Sequence, residues 1–237
     1  MAQNKSKKFE DITESIREKR SSKKGPISFQ IQLNDEQKEA KQLILESDIT
    51  VLSGKGGSGK TLLATQVALD LLFREVVKKI YIVRPTVSDE EIGFLPGSMV
   101  EKLNPWLQPI YENFYILYNK EKIDELLAKE IIEIVPVAFM RGRTLRDSLV
   151  IIDEAQNCTD KQLEMIQSRL GVGGKMVICG DLAQVDLKGN QTGFKYLFEL
   201  AEKVPGYSSY ILKTNHRHGI VDAVLSSYES KRVDIKI

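Results

Sequence analysis

The run Gly54-Lys55-Gly56-Gly57-Ser58-Gly59-Lys60-Thr61 fits the spacing G-x-x-x-x-G-K-[ST] without a gap. No other feature limits the possible fold as tightly. Glycines reach backbone conformations closed to residues with a β-carbon, so successive N–H groups can turn inward and form an anion nest. The nest works only between a strand and the positive end of a helix. Both flanks agree. Residues 48–53, with Ile49, Val51 and Leu52, read as a buried strand, and residues 60–74 carry helical apolar periodicity. The loop from Gly54 to Thr61 is therefore expected to cradle nucleotide phosphates. Lys60 would reach the β- and γ-phosphates, and the Thr61 hydroxyl would ligate Mg²⁺.

The rest of the chain supplies a setting for such a loop. Further strands are expected at 79–83, 131–137, 149–152, 176–179 and 210–212, and helices at 35–46, 160–170, 193–203 and 221–228. Asn34, with Gln37 three residues on, reads as the capping box of the first helix. Short apolar strands alternating with helices predict an α/β fold with a mainly parallel sheet flanked by helices. Residues 1–26 read as a flexible basic tail, 27–230 as the domain and 231–237 as a trailing segment. A chain of 237 residues with 42% hydrophobic content can bury a core without disulfides or structural metal. Cys158 and Cys179 are expected to be small packing residues, and His216 and His218 show no metal-ligand spacing. A net charge of +1 excludes a wholly basic nucleic-acid coat, though not a local basic face. No apolar run has the length of a membrane span and residues 1–24 do not form a secretory leader, so a cytoplasmic protein without membrane attachment is expected.

Two strand ends carry carboxylates. Leu149-Val150-Ile151-Ile152 runs into Asp153-Glu154, and Met176-Val177-Ile178-Cys179 into Gly180-Asp181-Leu182-Ala183-Gln184. Ligands of open α/β sheets bind beyond the carboxyl ends of the strands. Asp153 would then face the metal held by Thr61, Glu154 would activate a water against the γ-phosphate, and Gln184 would sense that phosphate or orient the water.

These motifs, with Val83-Arg84-Pro85, Gly93-Phe94-Leu95-Pro96-Gly97 and Met140-Arg141-Gly142-Arg143-Thr144, resemble the PhoH-like ATPases, a family similar to the first motor domain of superfamily 1 helicases. The resemblance covers about residues 30–229. It implies a RecA-like P-loop core, ATP with Mg²⁺, and association with RNA or single-stranded DNA. Gln37, in Leu33-Asn34-Asp35-Glu36-Gln37, is similar to the helicase glutamine that recognises adenine, and helix capping is its other role. Arg217, in Leu212-Lys213-Thr214-Asn215-His216-Arg217, looks like the helicase arginine that approaches the γ-phosphate. It reads as the charge stabiliser, or otherwise as a surface arginine. The usual family wording there places Arg-His after apolar residues; Lys55 stands where proline is usual and Trp106 where tyrosine is usual. The RNA-cleaving domain of some members is not expected, and the short length resembles phage-encoded members.

Arg84, Arg141 and Arg143 are the candidates for nucleic acid, with contact to a neighbouring subunit's ATP or a structural ion pair as the other readings of the latter two. Arg84 is expected to follow a strand near the nucleotide strand. Phe94 and Trp106 read as stacking aromatics or as core or interface residues. One motor domain leaves the nucleotide open on one side, so a homo-oligomer is expected, a ring such as a hexamer. The competing functions are a nucleotide-controlled binding module without useful hydrolysis and a P-loop small-molecule kinase.

Overall fold

The computed structural model describes residues 27–85, 99–184 and 192–234. Its first helix, α1 (Asp35–Glu46), starts where the capping box predicts. The Asn34 side chain accepts the Gln37 backbone N–H at 2.8 Å, and the Gln37 side-chain oxygen accepts the Asn34 N–H at 3.1 Å. Strand β1 (Ile49–Gly54) leads through the glycine-rich loop into α2 (Lys60–Phe73). Residues Leu63 to Leu71 of α2 are all buried, so α2 is a helix packed on every side rather than an amphipathic surface helix. The chain continues through β2 (Lys79–Arg84), α3 (Met99–Leu117), α4 (Lys120–Ala128), β3 (Ile132–Pro136) and β4 (Ser148–Ile152). It closes with α5 (Asp160–Gln167), β5 (Lys175–Gly180), α6 (Tyr196–Lys203), β6 (Tyr207–Leu212) and α7 (Gly219–Asp234).

Among the described residues the strands form one six-stranded sheet in the order β3-β2-β4-β5-β1-β6. Every pairing is parallel, with Ile49 of β1 opposite Met176 of β5 and Tyr207 of β6. A parallel sheet must be covered on both faces, and two apolar clusters do this. One holds Leu52, Ile82, Ile151 and Cys179 against Ala40, Leu63, Leu69, Phe114 and Ile123 of the helices. The other holds Val51, Ile152 and Ile178 against Cys158, Leu163, Ile166, Phe194 and Leu197. Neighbours such as Val51 and Leu52 fall in different clusters, as the period-two pleat requires. The cysteines also separate, one to each side. Both are buried and free, with the Cys158 thiol pushed up to about 12 by burial, so they pack as expected.

The differences from the sequence reading have local causes. Strand β6 starts at Tyr207 rather than at 210. Its Tyr-Ser-Ser-Tyr start has no apolar run, and backbone bonds from Asp48 and Ile49 to Gly206 O dock it beside β1. Helix α5 stops at Gln167 rather than 170, and Leu170 instead bridges to Leu145. Helix α6 starts at Tyr196, not 193, because Gly193 is tied to Cys158 O and Phe194 turns inward. Helix α7 continues to Asp234, past position 230, where a trailing segment was expected. Residues 1–26 and 93–97 lie outside the described residues, as do Phe94 and the side chain of Trp106. No described helix is long and apolar enough to cross a membrane.

Candidate functional site

The strand order puts the carboxyl ends of β4, β5, β1 and β6 side by side, and the motif-bearing loops leave from those ends. There they line a cavity of ≈ 290 Å³ that includes Gly56, Lys60, Thr61, Asp153, Glu154, Gln184 and Arg217. A larger hollow of ≈ 770 Å³ lies where β2 and β3 begin, lined mainly by apolar side chains such as Phe73, Leu126 and Ile131. Size favours the second cavity, but the chemistry-bearing residues are at the first, and chemistry decides.

The loop is shaped by its glycines at two points. Gly59 precedes α2 with φ 80°, a left-handed conformation that strains other residues, and a β-carbon there would lie 2.9 Å from Gln37 Nε2. At Gly56 a β-carbon would lie 2.5 Å from both Arg217 and Gln184 side-chain nitrogens, so these two close over the loop. Lys60 Nζ donates to the carbonyls of Gly54 (2.6 Å) and Lys55 (3.2 Å), which holds the ammonium over the loop. Ser58 is buried in the loop, with its N–H donating to Lys55 O.

Thr61 Oγ1 donates to Asp153 Oδ1 at 2.7 Å. Neighbouring oxygens on an octahedral Mg²⁺ with bonds of about 2.1 Å lie about 3.0 Å apart, so this pair suits that ion with little movement. One carboxylate and one hydroxyl also match a cation that keeps most of its water and takes phosphate oxygens. Burial raises the Asp153 pKa, and the adjacent Glu154 charge adds to the rise. The Thr61 hydrogen bond and Arg84 oppose it. A bound divalent cation would reverse that balance.

Glu154 has φ 54° and ψ 40°, a left-handed conformation unusual for a side-chain-bearing residue. Gln156 Nε2 donates to Glu154 Oε2 at 2.6 Å, while Gln156 Oε1 accepts the Asp181 N–H at 3.0 Å. Asp181 Oδ2 in turn accepts the Gly56 N–H at 2.8 Å, and its Oδ1 accepts the Ala183 N–H at 2.9 Å. A continuous chain of bonds thus joins Glu154, the end of β5 and the phosphate loop. Gln156 and Asp181 were assigned no role from the sequence, although Asp181 stands inside the Gly180–Gln184 motif and Gln156 two residues after Glu154. Their types permit many roles, and only the topology shows which groups they meet. Asn113 of α3 also lines the cavity, and no motif pointed to it.

The segment after β6 is fastened from two sides. Glu36 accepts the N–H groups of Lys213 (2.6 Å) and Thr214 (3.0 Å), and His216 N–H donates to Gly57 O at 3.0 Å. This brings Arg217 onto the glycine loop. The other arginines divide. Arg84 ends β2, which pairs with β4, and its Nε lies 3.8 Å from Asp153 Oδ2 of the cavity. Arg143 pairs with Glu133 at 2.6 Å and also bonds Phe139 O, the structural ion-pair alternative. Arg141 is exposed, two residues after Phe139, which is also exposed and which the sequence alone did not single out.

A family model described as PhoH-like protein matches residues 31–229. The PhoH-like protein of Bacillus subtilis (strain 168) is 39% identical over 199 residues, covering 82% of this chain and 62% of the relative. That of Synechocystis sp. (strain ATCC 27184 / PCC 6803 / Kazusa) is 38% identical over 197 residues, covering 81% and 60%. The chain thus spans about three-fifths of these relatives' length. Among solved structures, a Pif1 helicase from Candida albicans is a distant likeness, with TM-score 0.39 and 16% identity over 78% of this chain and 40% of that one. With a phosphate loop of this geometry and a family match over residues 31–229, the chain belongs to the PhoH-like protein family.

Proposed function

We propose that the chain binds ATP with Mg²⁺ in the 290 Å³ cavity and hydrolyses it, and that hydrolysis is coupled to RNA or single-stranded DNA. The observation that carries this reading is the convergence of Thr61, Asp153 and Glu154 beneath a phosphate loop that Gln184 and Arg217 cover. The loop amides and Lys60 bind the phosphates, while Thr61 and Asp153 would hold Mg²⁺, which supplies charge neutralisation at the phosphate oxygens. Glu154, fixed through one oxygen by Gln156, presents the other to a water. Arg217 and Gln184 are placed to meet charge on the γ-phosphate. Steady-state hydrolysis tests the assignment. Lys60→Ala should lose binding and turnover, and Glu154→Gln should lose turnover but keep binding. Unchanged hydrolysis in both variants contradicts it, and binding without turnover in the wild type would favour a binding module.

The nucleic-acid reading rests on Arg141 and Phe139, an exposed cation and aromatic at the carboxyl edge of the sheet. That pairing suits the backbone and bases of a single strand. Single-stranded RNA or DNA should raise the ATPase rate, and Arg141→Ala with Phe139→Ala should weaken the polymer at least fivefold without changing the basal rate. An unchanged polymer affinity removes these two residues from the interface.

We also propose a head-to-tail assembly in which a second copy closes the cavity. Helix α7 begins two residues after Arg217 and exposes Ile220, Val221, Val224, Leu225 and Tyr228 at helical spacing, an apolar stripe suited to a subunit contact.

A further inference from the structure

The side chains that stand over the outer wall of the phosphate loop form a second small cluster. The capping box fixes both amides in it. Asn34 Oδ1 and Gln37 Oε1 each accept the other residue's backbone N–H, so their NH₂ groups are left pointing outward. Both face a single atom, His216 Nε2, at 3.5 Å from Asn34 Nδ2 and 3.4 Å from Gln37 Nε2. An amide NH₂ only donates, so a nitrogen facing two of them must offer its lone pair. The ring proton of His216 therefore sits on Nδ1. Gln37 is buried, Asn34 half-buried and His216 exposed, so the imidazole lies as a cover over one buried donor and its half-buried neighbour. Bonds of 3.4–3.5 Å are long, and an exposed ring held by them is cheaply exchanged.

An unprotonated nitrogen in a five-membered heteroaromatic ring is also what a purine presents at N7. We infer that His216 is an internal stand-in for a purine base: it occupies the donors of Gln37 and Asn34 until the N7 acceptor of a purine nucleotide displaces it. This rests on the proposed reading that the adjacent cavity takes a nucleoside triphosphate. Displacement has a consequence at the phosphates. His216 N–H is bonded to Gly57 O, and the next residue, Arg217, crowds Gly56 and Gly57. Moving the ring moves the segment that covers the loop, so base entry and the setting of Arg217 become one event.

The test follows the imidazole nitrogens by NMR in the full chain, with His216→Ala identifying the resonances and calorimetry run alongside. The free protein should show His216 as the Nδ1–H tautomer. MgATP should shift its resonances, and magnesium tripolyphosphate, which reaches Arg217 but has no base, should shift them far less. His216→Ala should bind ATP at least threefold more tightly and tripolyphosphate equally well. The 7-deaza analogue of ATP, which lacks the acceptor, should shift His216 far less than ATP. If ATP binds while His216 stays unmoved, or if tripolyphosphate or 7-deaza-ATP shifts it as much as ATP, the stand-in is overturned and the phosphate site survives. If neither ATP nor tripolyphosphate binds, the phosphate site falls and the inference with it.

Discussion

Glu154 holds a conformation that costs about 1–3 kcal/mol for a residue with a side chain. It also places a second negative charge beside Asp153, whose pKa burial and that charge raise. Both effects oppose folding, and both are expected of a residue retained for chemistry. Glu154→Gly should relieve them together, raising stability by about 0.5–1 kcal/mol in urea denaturation while hydrolysis is lost. A destabilised variant would show that the carboxylate is structural. At this scale the sequence was informative wherever a residue type is forced. The glycine loop, Lys60, Thr61 and Asp153 could be read from spacing because few other types would serve. Gln156, Asp181 and Asn113 could not, because a glutamine, an aspartate or an asparagine acquires its role only from what the fold sets beside it. Gln37 illustrates a shared role: its oxygen caps α1, and its nitrogen faces the cluster around His216.

Among the elements, α2 carries an unbroken buried run from Leu63 to Leu71, and its one charged member is Asp70. Its carboxylate is 7% exposed and bonds Lys41 at 2.8 Å and Arg74 at 2.6 Å, tying α1 to the end of α2. Burial alone would raise its pKa, but the two cations outweigh it and hold the carboxyl below the ordinary range. A lowered native pKa gives stability that is complete above the unfolded value of about 3.9 and is lost as pH falls through the native one. Asp70→Asn should therefore cost about 2 kcal/mol near neutral pH, and the gap to wild type should narrow at pH 3 in thermal unfolding. A gap constant between those conditions contradicts the ion-pair account. The strands of this scale were legible because β1, β4 and β5 are buried on both faces and, with the partly buried β2, carry runs of apolar residues. The edge strand β6 was legible only in part, since Ser208 and Ser209 interrupt the run and its pairing with β1 is set by distant backbone bonds.

At the scale of the whole molecule, strand order decides the site. Because β1 lies between β5 and β6, residues as far apart in sequence as Lys60, Asp181 and Arg217 meet at the carboxyl ends of the strands, with Gln37 beside Gly59 of the same loop. Sequence periodicity predicts a parallel sheet but does not encode strand order. The proposed assembly belongs to this scale. Light scattering after size exclusion should give a species larger than the 26.8 kDa chain, and Ile220→Asp with Val224→Asp should reduce it to one copy with lower ATPase activity. A monomer at all concentrations with full activity contradicts the closing subunit. Beneath every proposal lies the claim that the loop from Gly54 to Thr61, with Asp153, grips a nucleoside triphosphate. Isothermal titration calorimetry with MgATP measures this most directly. The account predicts saturable uptake of one ATP per chain that Lys60→Ala abolishes; no uptake by the wild type, or equal uptake by the variant, would contradict it.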